Sequence, residues 1–216
     1  MKFTALLLLA TLVASSLAVD GGDVSEYYSA GTFSCCRQKG WNFVIVRSYC
    51  SYGGVDPNAP ATLAQAAAAG IPYRDVYHFP CASQNAREQV SADLNHVGKS
   101  NFGMMWFDIE TNPSPGCGWS TNLAANCNFL GELIDAGKSM GIHMGIYASA
   151  YMWSIIMGDR STVGASNGIP LWYAHYDYTR SFGDFSPFGG WAKPNMKQYN
   201  DAVGICGINA DADWYP

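Results

Sequence analysis

Two carboxyl side chains stand two residues apart at the end of an apolar run, Asp108 and Glu110 in Met104-Met-Trp-Phe-Asp-Ile-Glu110. If this run is a strand, both carboxyls point to the same side. Two close like charges resist joint ionisation, so the pKa of one rises while the other group stays charged. A proton donor beside a charged carboxylate is what glycosidic bond cleavage requires. The alternative is a strand end entering solvent. The apolar run, together with Asp23 and Asp211 on other strands, favours the chemical interpretation.

Polar and aromatic side chains also stand near the ends of the other candidate strands. In α/β barrels the active site lies at the carboxyl ends of the strands, so we predict one shared cleft. Tyr147 and Trp172 could stack on a sugar ring there or belong to the barrel core. His78 could form part of the cleft wall or be a hydrogen-bonded core histidine. The candidate substrate contacts are Tyr77, His78, Tyr147, Trp172, Tyr176 and Gln198.

The elements that must position these side chains alternate between strand and helix. The candidate strands are Gly21–Ser25, Phe43–Tyr49, Tyr73–Phe79, Met104–Glu110, His143–Ser149, Ile169–Tyr176, Met196–Asn200 and Ile208–Trp214. Helical patterns occupy Ala61–Gly70, Gln84–Lys99 and Asn122–Gly141, and the last of these ends in a glycine suited to a helix terminus. Alternation of this kind indicates an α/β fold with a parallel sheet.

Eight strands predict an irregular (β/α)8-like, TIM-type barrel. From Gly158 to Pro194 the chain is rich in Gly, Ser and Pro, so the later helices are expected to be shortened or missing. A doubly wound open sheet is the structural alternative. No G-x-G-x-x-G follows a strand, which argues against a dinucleotide site.

Composition narrows the range of ligands. The chain has 216 residues with a formal net charge of −5, and 49% of them are hydrophobic. One domain of this length can bury a sizeable core. Because the chain lacks a basic footprint, we expect neither nucleic-acid binding nor adsorption to an anionic membrane. Aromatic residues make up 14% of the chain, which suits either a sugar-binding cleft or ordinary core packing.

The first 18 residues are typical of a secretory signal peptide. Lys2 precedes a nearly continuous apolar stretch, and Ser16-Leu17-Ala18 carries small residues where a signal peptidase cleaves. An uncleaved anchor is the alternative. We expect cleavage after Ala18, a single domain over residues 19–216, and a protein that is secreted or delivered through the secretory pathway to a lysosome- or phagosome-like compartment.

The seven cysteines all follow the signal, and secreted cysteines normally form disulfides. We expect Cys117 and Cys127 to pair across a short loop. We also expect Cys35 or Cys36 to pair with Cys206, because the first and last strands of a closed barrel are neighbours. No C-x-x-C, H-x-H or H-E-x-x-H occurs, so no metal site is expected.

A series of motifs resembles glycoside hydrolase family 25, the Chalaropsis-type lysozymes. They run from Asp23-Val-Ser25 through Tyr77-His-Phe79 and Phe107-Asp-Ile-Glu110 to Gly145-Ile-Tyr147, Leu171-Trp-Tyr-Ala174 and Gln198-Tyr199. The resemblance spans the mature chain and is strongest to the secreted lysozymes of protists and nematodes. The sequence departs from the pattern at Ala210-Asp-Ala-Asp213, where the family usually ends in Asn. Register favours Asp211 over Asp213 for the family position.

The resemblance implies hydrolysis of the β-1,4 bond between N-acetylmuramic acid and N-acetylglucosamine in bacterial peptidoglycan. It implies that Glu110 is the general acid and that Asp108 orients or stabilises the substrate N-acetyl group during neighbouring-group assistance. Asp23 and Asp211 complete the acidic cleft. No metal or organic cofactor is expected, and the protein is expected to be a monomer.

Two rival functions stay open. One is another glycosidase of N-acetylated sugars, such as a chitinase. The other is a catalytically inactive, lectin-like binding protein that kept the cleft. The Asp108 and Glu110 pair argues against the second, because a binding module has no need of two close carboxyls.

Overall fold

The computed structural model describes residues 18–216. The predicted signal peptide lies almost wholly outside the described residues and stays a prediction. The described part of the chain forms one nine-stranded sheet that closes on itself through the pairing of its first two strands. The strands are β1 (Val19–Val24), β2 (Trp41–Cys50), β3 (Gly54–Val55), β4 (Tyr73–His78), β5 (Met104–Asp108), β6 (His143–Ala148), β7 (Leu171–Ala174), β8 (Met196–Ile205) and β9 (Ile208–Tyr215).

Eight of these strands form the barrel wall, and they match the eight predicted strands to within a few residues. The short β3 was not predicted and pairs only with the end of β2. From β1 to β8 the neighbouring wall strands are parallel, whereas β9 is antiparallel to both β8 and β1. The predicted irregular barrel is confirmed, but its last strand is reversed. Cys206 and Gly207 form the two-residue turn before β9, and both have positive φ, as such hairpins require.

Helices cover the outside of the barrel, mostly along its first two thirds. They are α1 (Ala30–Gln38), α2 (Ala59–Ala68), α3 (Ala86–Val97), α4 (Leu123–Met140), α5 (Ala150–Met157) and α6 (Val163–Ser166). The side chain of Asn122 caps α4 by accepting from the backbone N–H groups of Ala124 and Ala125, and Gly141 ends the helix with a left-handed backbone. No helix occurs within residues 175–195. The expected loss of the later helices is therefore confirmed.

Two hydrophobic clusters hold the layers together. The larger one lies between the strands and the helices and includes Phe107, Leu130 and Ile134. The smaller one fills the inside of the barrel and is rich in aromatic residues. Gly145 makes this interior possible, because a Cβ atom there would lie 2.1 Å from the Trp106 ring. The Trp106 ring therefore has room inside the barrel.

Two disulfides join parts of the chain that the barrel brings together. Cys35 on α1 bonds to Cys206 in the β8–β9 turn, which confirms the pairing predicted from barrel closure. The predicted Cys117–Cys127 pair is wrong, because Cys117 bonds to Cys81. The loops that follow the neighbouring parallel strands β4 and β5 meet in space, whereas Cys127 is carried away on α4. Cys117 therefore bonds to the cysteine that is close to it across the sheet, not to the one that is close to it along the chain.

None of the helices among residues 18–216 combines the length and the apolar character needed to cross a membrane.

Candidate active site

A cleft of about 320 Å³ opens where the parallel strands end. All four predicted carboxyl groups line it: Asp23, Asp108, Glu110 and Asp211. Asp23 stands near the end of β1, and Asp108 is the last residue of β5. Asp211 reaches the same end from the first half of the reversed strand β9, where it pairs in register with Asp23. The reversal thus places a fourth acid at the shared opening.

Asp108 and Glu110 face the cleft because the backbone stays extended past the end of β5. The N–H of Ile109 donates to the carbonyl of Tyr147 over 2.9 Å, which prolongs the pairing with β6. Ile109 turns to the outer core and is fully buried. The indole N–H of Trp119 donates to the Glu110 carbonyl over 2.8 Å and holds the chain beyond the strand. The two carboxyls consequently share one face, as the strand periodicity predicted.

Burial and the charges of neighbouring acids raise the pKa values of both groups. Burial raises the pKa of Asp108 well above its usual range, and the charges of Glu110 and Asp23 raise it further. The pKa of Glu110 is also raised, first by burial and then by Asp23. The sequence predicted a rise for only one member of the pair. In the structure the pKa values of both carboxyls are raised, because burial disfavours the ionised form of each. The barrel encloses Asp108 even more deeply than Glu110.

One oxygen of Asp108 stands out within the cleft. Asp108 is only 6% exposed, and its Oδ1 atom is buried without a hydrogen-bond partner. A buried polar oxygen left in this state costs free energy unless a ligand supplies a donor. The amide N–H of an N-acetyl sugar is a donor of the required type.

Gln198 links the other two acids. Its Nε2 donates to Asp23 Oδ2 over 2.7 Å and to Asp211 Oδ2 over 3.1 Å. Its Oε1 accepts from the hydroxyl groups of Tyr147 and Tyr176 at 2.6 and 3.0 Å. Burial raises the pKa of Asp23 to about 6 and that of Asp211 to about 8, and the charge of Asp23 adds to the second shift. Gln198 therefore fixes the cleft geometry without supplying a compensating charge.

Aromatic side chains form the floor and wall of the cleft. Tyr77, Tyr147, Trp172 and Tyr176 all line it, as predicted. Trp172 is 2% exposed and packs edge-on against Tyr147, with ring centres 4.6 Å apart. It therefore belongs to the barrel core as well as to the cleft floor. Tyr176 is 42% exposed and offers the open aromatic surface that a sugar ring could cover.

His78 does not line the cleft, and its placement among the substrate contacts is corrected. It is fully buried on the outer face of β4, because it alternates with the inward-facing Tyr77. Its Nδ1 pairs with Asp93 Oδ2 over 2.7 Å, and its Nε2 lies 3.1 Å from Gln89 Oε1. Of the two alternatives, the hydrogen-bonded core histidine is the one the structure shows.

Five lining residues were not singled out from the sequence: Ser25, Arg47, Ser51, Phe79 and Pro113. Arg47 was detectable, because it ends the apolar run of β2. Tyr49, the last residue of the predicted strand, is 3% exposed and donates to Gln84 instead. A register irregularity in β2 between Arg47 and Tyr49 accounts for the difference. The Arg47 guanidinium donates to Asp56 over 2.8 Å and to the Ser25 carbonyl over 2.7 Å.

Comparisons of the sequence and of the structure with known proteins both find lysozymes or muramidases. A family model described as "Lysozyme-like protein 1" matches residues 14–199. A Dictyostelium discoideum protein named "Probable GH family 25 lysozyme 2" is 42% identical over 220 residues, covering 100% of both chains. Among solved structures, a muramidase from Acremonium alcalophilum superposes with a TM-score of 0.73 at 22% identity, covering 92% of this chain and 93% of the other.

A second solved structure, a family GH25 lysozyme from Aspergillus fumigatus, reaches a TM-score of 0.76 at 19% identity, covering 92% of this chain and 94% of the other. At that identity the likeness establishes the barrel fold alone.

Proposed function

The chain belongs to the GH25 lysozyme family of glycoside hydrolases, and from that premise we propose that its cleft hydrolyses the β-1,4 bond between N-acetylmuramic acid and N-acetylglucosamine in bacterial peptidoglycan. The observation that carries the proposal is the pair of carboxyls of Asp108 and Glu110, which are enclosed at the strand ends and form no ion pair within residues 18–216. A binding protein gains nothing from two enclosed acids that repel each other. A glycosidase uses one of them to give and to receive a proton and the other to stabilise the charge that develops on the substrate.

Glu110 acts as the general acid in this proposal. Its raised pKa extends the pH range in which it is protonated, and in that form it donates to the oxygen of the leaving sugar as the glycosidic bond breaks. The carbonyl oxygen of the substrate N-acetyl group attacks the anomeric carbon at the same time. Glu110 then removes a proton from the water that opens the cyclic intermediate. Activity should fall as the pH rises through the pKa of Glu110.

Asp108 stabilises the cyclic intermediate. Its unpartnered Oδ1 accepts the N–H of the acetamido group, and the positive charge that develops there favours the ionised carboxylate. Asp23 and Asp211 extend the acidic surface around the reacting sugar, and Tyr176 supplies the flat face for stacking. The proposal needs no metal or organic cofactor.

Product analysis tests the substrate assignment. Purified protein is incubated with peptidoglycan, and the released fragments are reduced with borohydride and identified by mass spectrometry. Reduced N-acetylmuramic acid at the new ends supports the proposal. Reduced N-acetylglucosamine, or cleavage of chitin oligomers alone, supports a chitinase-like enzyme, and binding without cleavage supports the lectin-like alternative.

Glu110→Gln tests the residue assignment and carries the largest expected effect. Turnover should fall by about 100-fold to 10,000-fold, because the amide keeps the shape but has no acidic proton. Glu132→Gln on the exposed side of α4 is the matched control and should retain full turnover. Circular dichroism must show both variants folded. Near-normal turnover in folded Glu110→Gln would remove Glu110 from the catalytic role.

We also propose that the protein enters the secretory pathway and works as a monomer. The two disulfides fit an oxidising compartment, and residues 1–18 have the pattern of a cleaved signal. N-terminal sequencing of secreted protein should begin at Val19. An intact Met1 on secreted protein would contradict cleavage.

A further inference from the structure

A second recess opens at the other end of the barrel, where the parallel strands begin. It has a volume of about 360 Å³ and shares no lining residue with the cleft. Tyr73, Met104 and Met196 are the first residues of β4, β5 and β8, and Tyr215 is the last residue of the reversed β9. We call this cavity the lower recess. Because strands of the sheet form most of its wall, the closed barrel holds its lining residues in place.

The lining of the lower recess is mainly apolar and aromatic. Four aromatic side chains contribute to it together with two methionines, and the four are Phe43, Tyr73, Trp106 and Tyr215. The ring centres of Phe43 and Tyr215 lie 5.1 Å apart, and Tyr73 is 61% exposed. The faces of aromatic rings carry partial negative charge and attract cations. The lining therefore suits a ligand with an apolar body, and most of all one that is positively charged.

Asp75 is the one acid among these lining residues. Its Oδ1 accepts the backbone N–H of Met104 over 2.9 Å, and its Oδ2 accepts the indole N–H of Trp106 over 3.0 Å. Burial raises the pKa of Asp75, and these two donors oppose the rise. No lining residue is cationic, and Asp75 forms no ion pair with any side chain of residues 18–216. The charge of the Asp75 carboxylate is therefore left for a ligand to balance.

The other polar groups of the recess decide which kind of cation fits. Asn195 offers the one amide side chain in the lining, and its Oδ1 already accepts the backbone N–H of Leu171 over 3.2 Å. A calcium ion takes about six to eight oxygen ligands, and a primary ammonium group has three N–H donors to satisfy. A quaternary ammonium ion has no N–H donor and is recognised by aromatic faces and a nearby negative charge. The lining thus matches a quaternary ammonium ion better than the other two.

We propose that the lower recess binds a small quaternary ammonium ion, whose charge Asp75 balances and whose methyl groups contact the aromatic side chains. The buried rings of Phe43 and Trp106 form the inner part of the site, and the exposed ring of Tyr73 lies at its opening. The site lies apart from the cleft, and its occupation does not depend on the hydrolysis proposed above.

Choline and its uncharged carbon isostere, dimethylbutanol, test the role of charge. Each is titrated into the nitrogen-15-labelled protein at constant ionic strength, and the indole N–H resonance of Trp106 is followed by NMR. Choline should shift this resonance with a millimolar dissociation constant, and dimethylbutanol should bind at least about tenfold more weakly. The two molecules have the same shape, so the difference between their affinities measures the effect of the charge. Equal affinities, or no shift with choline, would overturn the proposal.

Two substitutions test the assigned residues. Asp75→Asn keeps the size of the side chain but removes its charge, and it should weaken choline binding by about tenfold or more. Tyr73→Ala removes an exposed aromatic side chain, so the fold is not at risk, and it should weaken binding by about threefold. Asp135→Asn on the exposed side of α4 is the matched control and should bind choline as the unsubstituted protein does. Circular dichroism identifies the folded variants, and full choline affinity in either folded test variant would overturn the proposal.

The acidic cleft is the competing site for a cation, and Trp172 at the cleft floor reports on it. A choline-dependent shift of the Trp106 indole resonance that Asp75→Asn abolishes supports the lower recess. A shift of the Trp172 indole resonance that leaves Trp106 unmoved would place choline in the cleft and overturn the proposal. These measurements follow binding alone, so their outcome is the same whether or not the protein cleaves peptidoglycan.

Discussion

Lys197 and Gln198 are neighbours on β8, and their side chains point to opposite faces of the barrel wall. Gln198 points inward to Asp23 and Asp211. Lys197 points outward, is fully buried, and donates over 2.8 Å to both Asp177 and Asp184. The pKa of Asp211 rises to about 8, with burial as the largest cause. The pKa of Asp184 falls to about 2, because bonds from Lys197 and His175 outweigh its desolvation.

We call Lys197, His175, Asp177 and Asp184 the outer cluster, and Asp23, Asp108, Glu110, Asp211 and Gln198 the inner cluster. Among the described residues, the two clusters differ in whether a cation bonds to their acids. The outer cluster has an ammonium group and is a structural ion pair that ties residues 177–184 to the wall where a helix is missing. The inner cluster has only an amide between its acids, so it retains protons and stays electrostatically strained. Repulsion of this kind lowers stability and is typical of sites kept for chemistry.

The outer cluster also bears on metal binding. His175, Asp177 and Asp184 form the one group in the described part of the chain whose ligand atoms lie close enough to hold an ion. Lys197 bridges the two carboxylates, so its charge already compensates them. The arrangement is therefore explained as an ion-pair network.

Asp108→Asn should break the inner cluster with the largest effect in this comparison. Turnover should fall by about 100-fold or more, because the charge that stabilises the intermediate is lost. The free energy of unfolding should stay equal or increase, since a repelling buried acid is replaced by a neutral amide. Kinetics on peptidoglycan and urea denaturation measure the two quantities. A large loss of stability would show that Asp108 is a structural residue.

Lys197→Met should break the outer cluster and have the opposite pattern. The unfolding free energy should fall by about 1–3 kcal/mol, because two carboxylates lose their partner while remaining partly solvated. Turnover per folded molecule should change little. Lys193→Met, at an exposed position, is the control. Equal stability of the two variants would contradict a structural role for the ion pair.

The two clusters should also differ in how they make the free energy of unfolding depend on pH, although this effect is smaller. Asp211 holds its proton more tightly when folded, so stability is highest below its ordinary pKa of 3.8 and declines as the pH rises to about 8. Asp184 acts in the other direction, and its contribution is lost as the pH falls from 3.8 to about 2. Thermal unfolding should therefore show the highest midpoint near pH 4.

Asp211→Asn should flatten the decline in stability between pH 4 and 8, whereas Asp159→Asn at an exposed position should leave it intact. A slope that is the same in both variants would mean that other groups cause it.

Local patterns were sufficient to predict the wall strands and most of the site. Strand alternation placed Asp108 and Glu110 on one face, and the strand-end rule collected Asp23, Tyr77, Tyr147, Trp172, Tyr176 and Gln198 at one opening. The strand-end rule failed for His78 because adjacent residues on a strand face opposite sides. The residue types alone do not reveal which of two polar neighbours points inward. Helices α1 and α5 were not predicted, since Gly31 and a nearly all-apolar run obscure their periodicity.

By itself the sequence determined an acidic, aromatic, barrel-forming chain, because hydrophobic periodicity and strand-end polarity are properties of consecutive residues. Only the tertiary structure decided the reversal of β9, the Cys81–Cys117 bond and the pairing of Asp23 with Asp211. The bond depends on β4 and β5 lying side by side, and the pairing of Asp23 with Asp211 forms only when the barrel closes β9 against β1. The same closure excludes water from the acids, and that exclusion raises their pKa values.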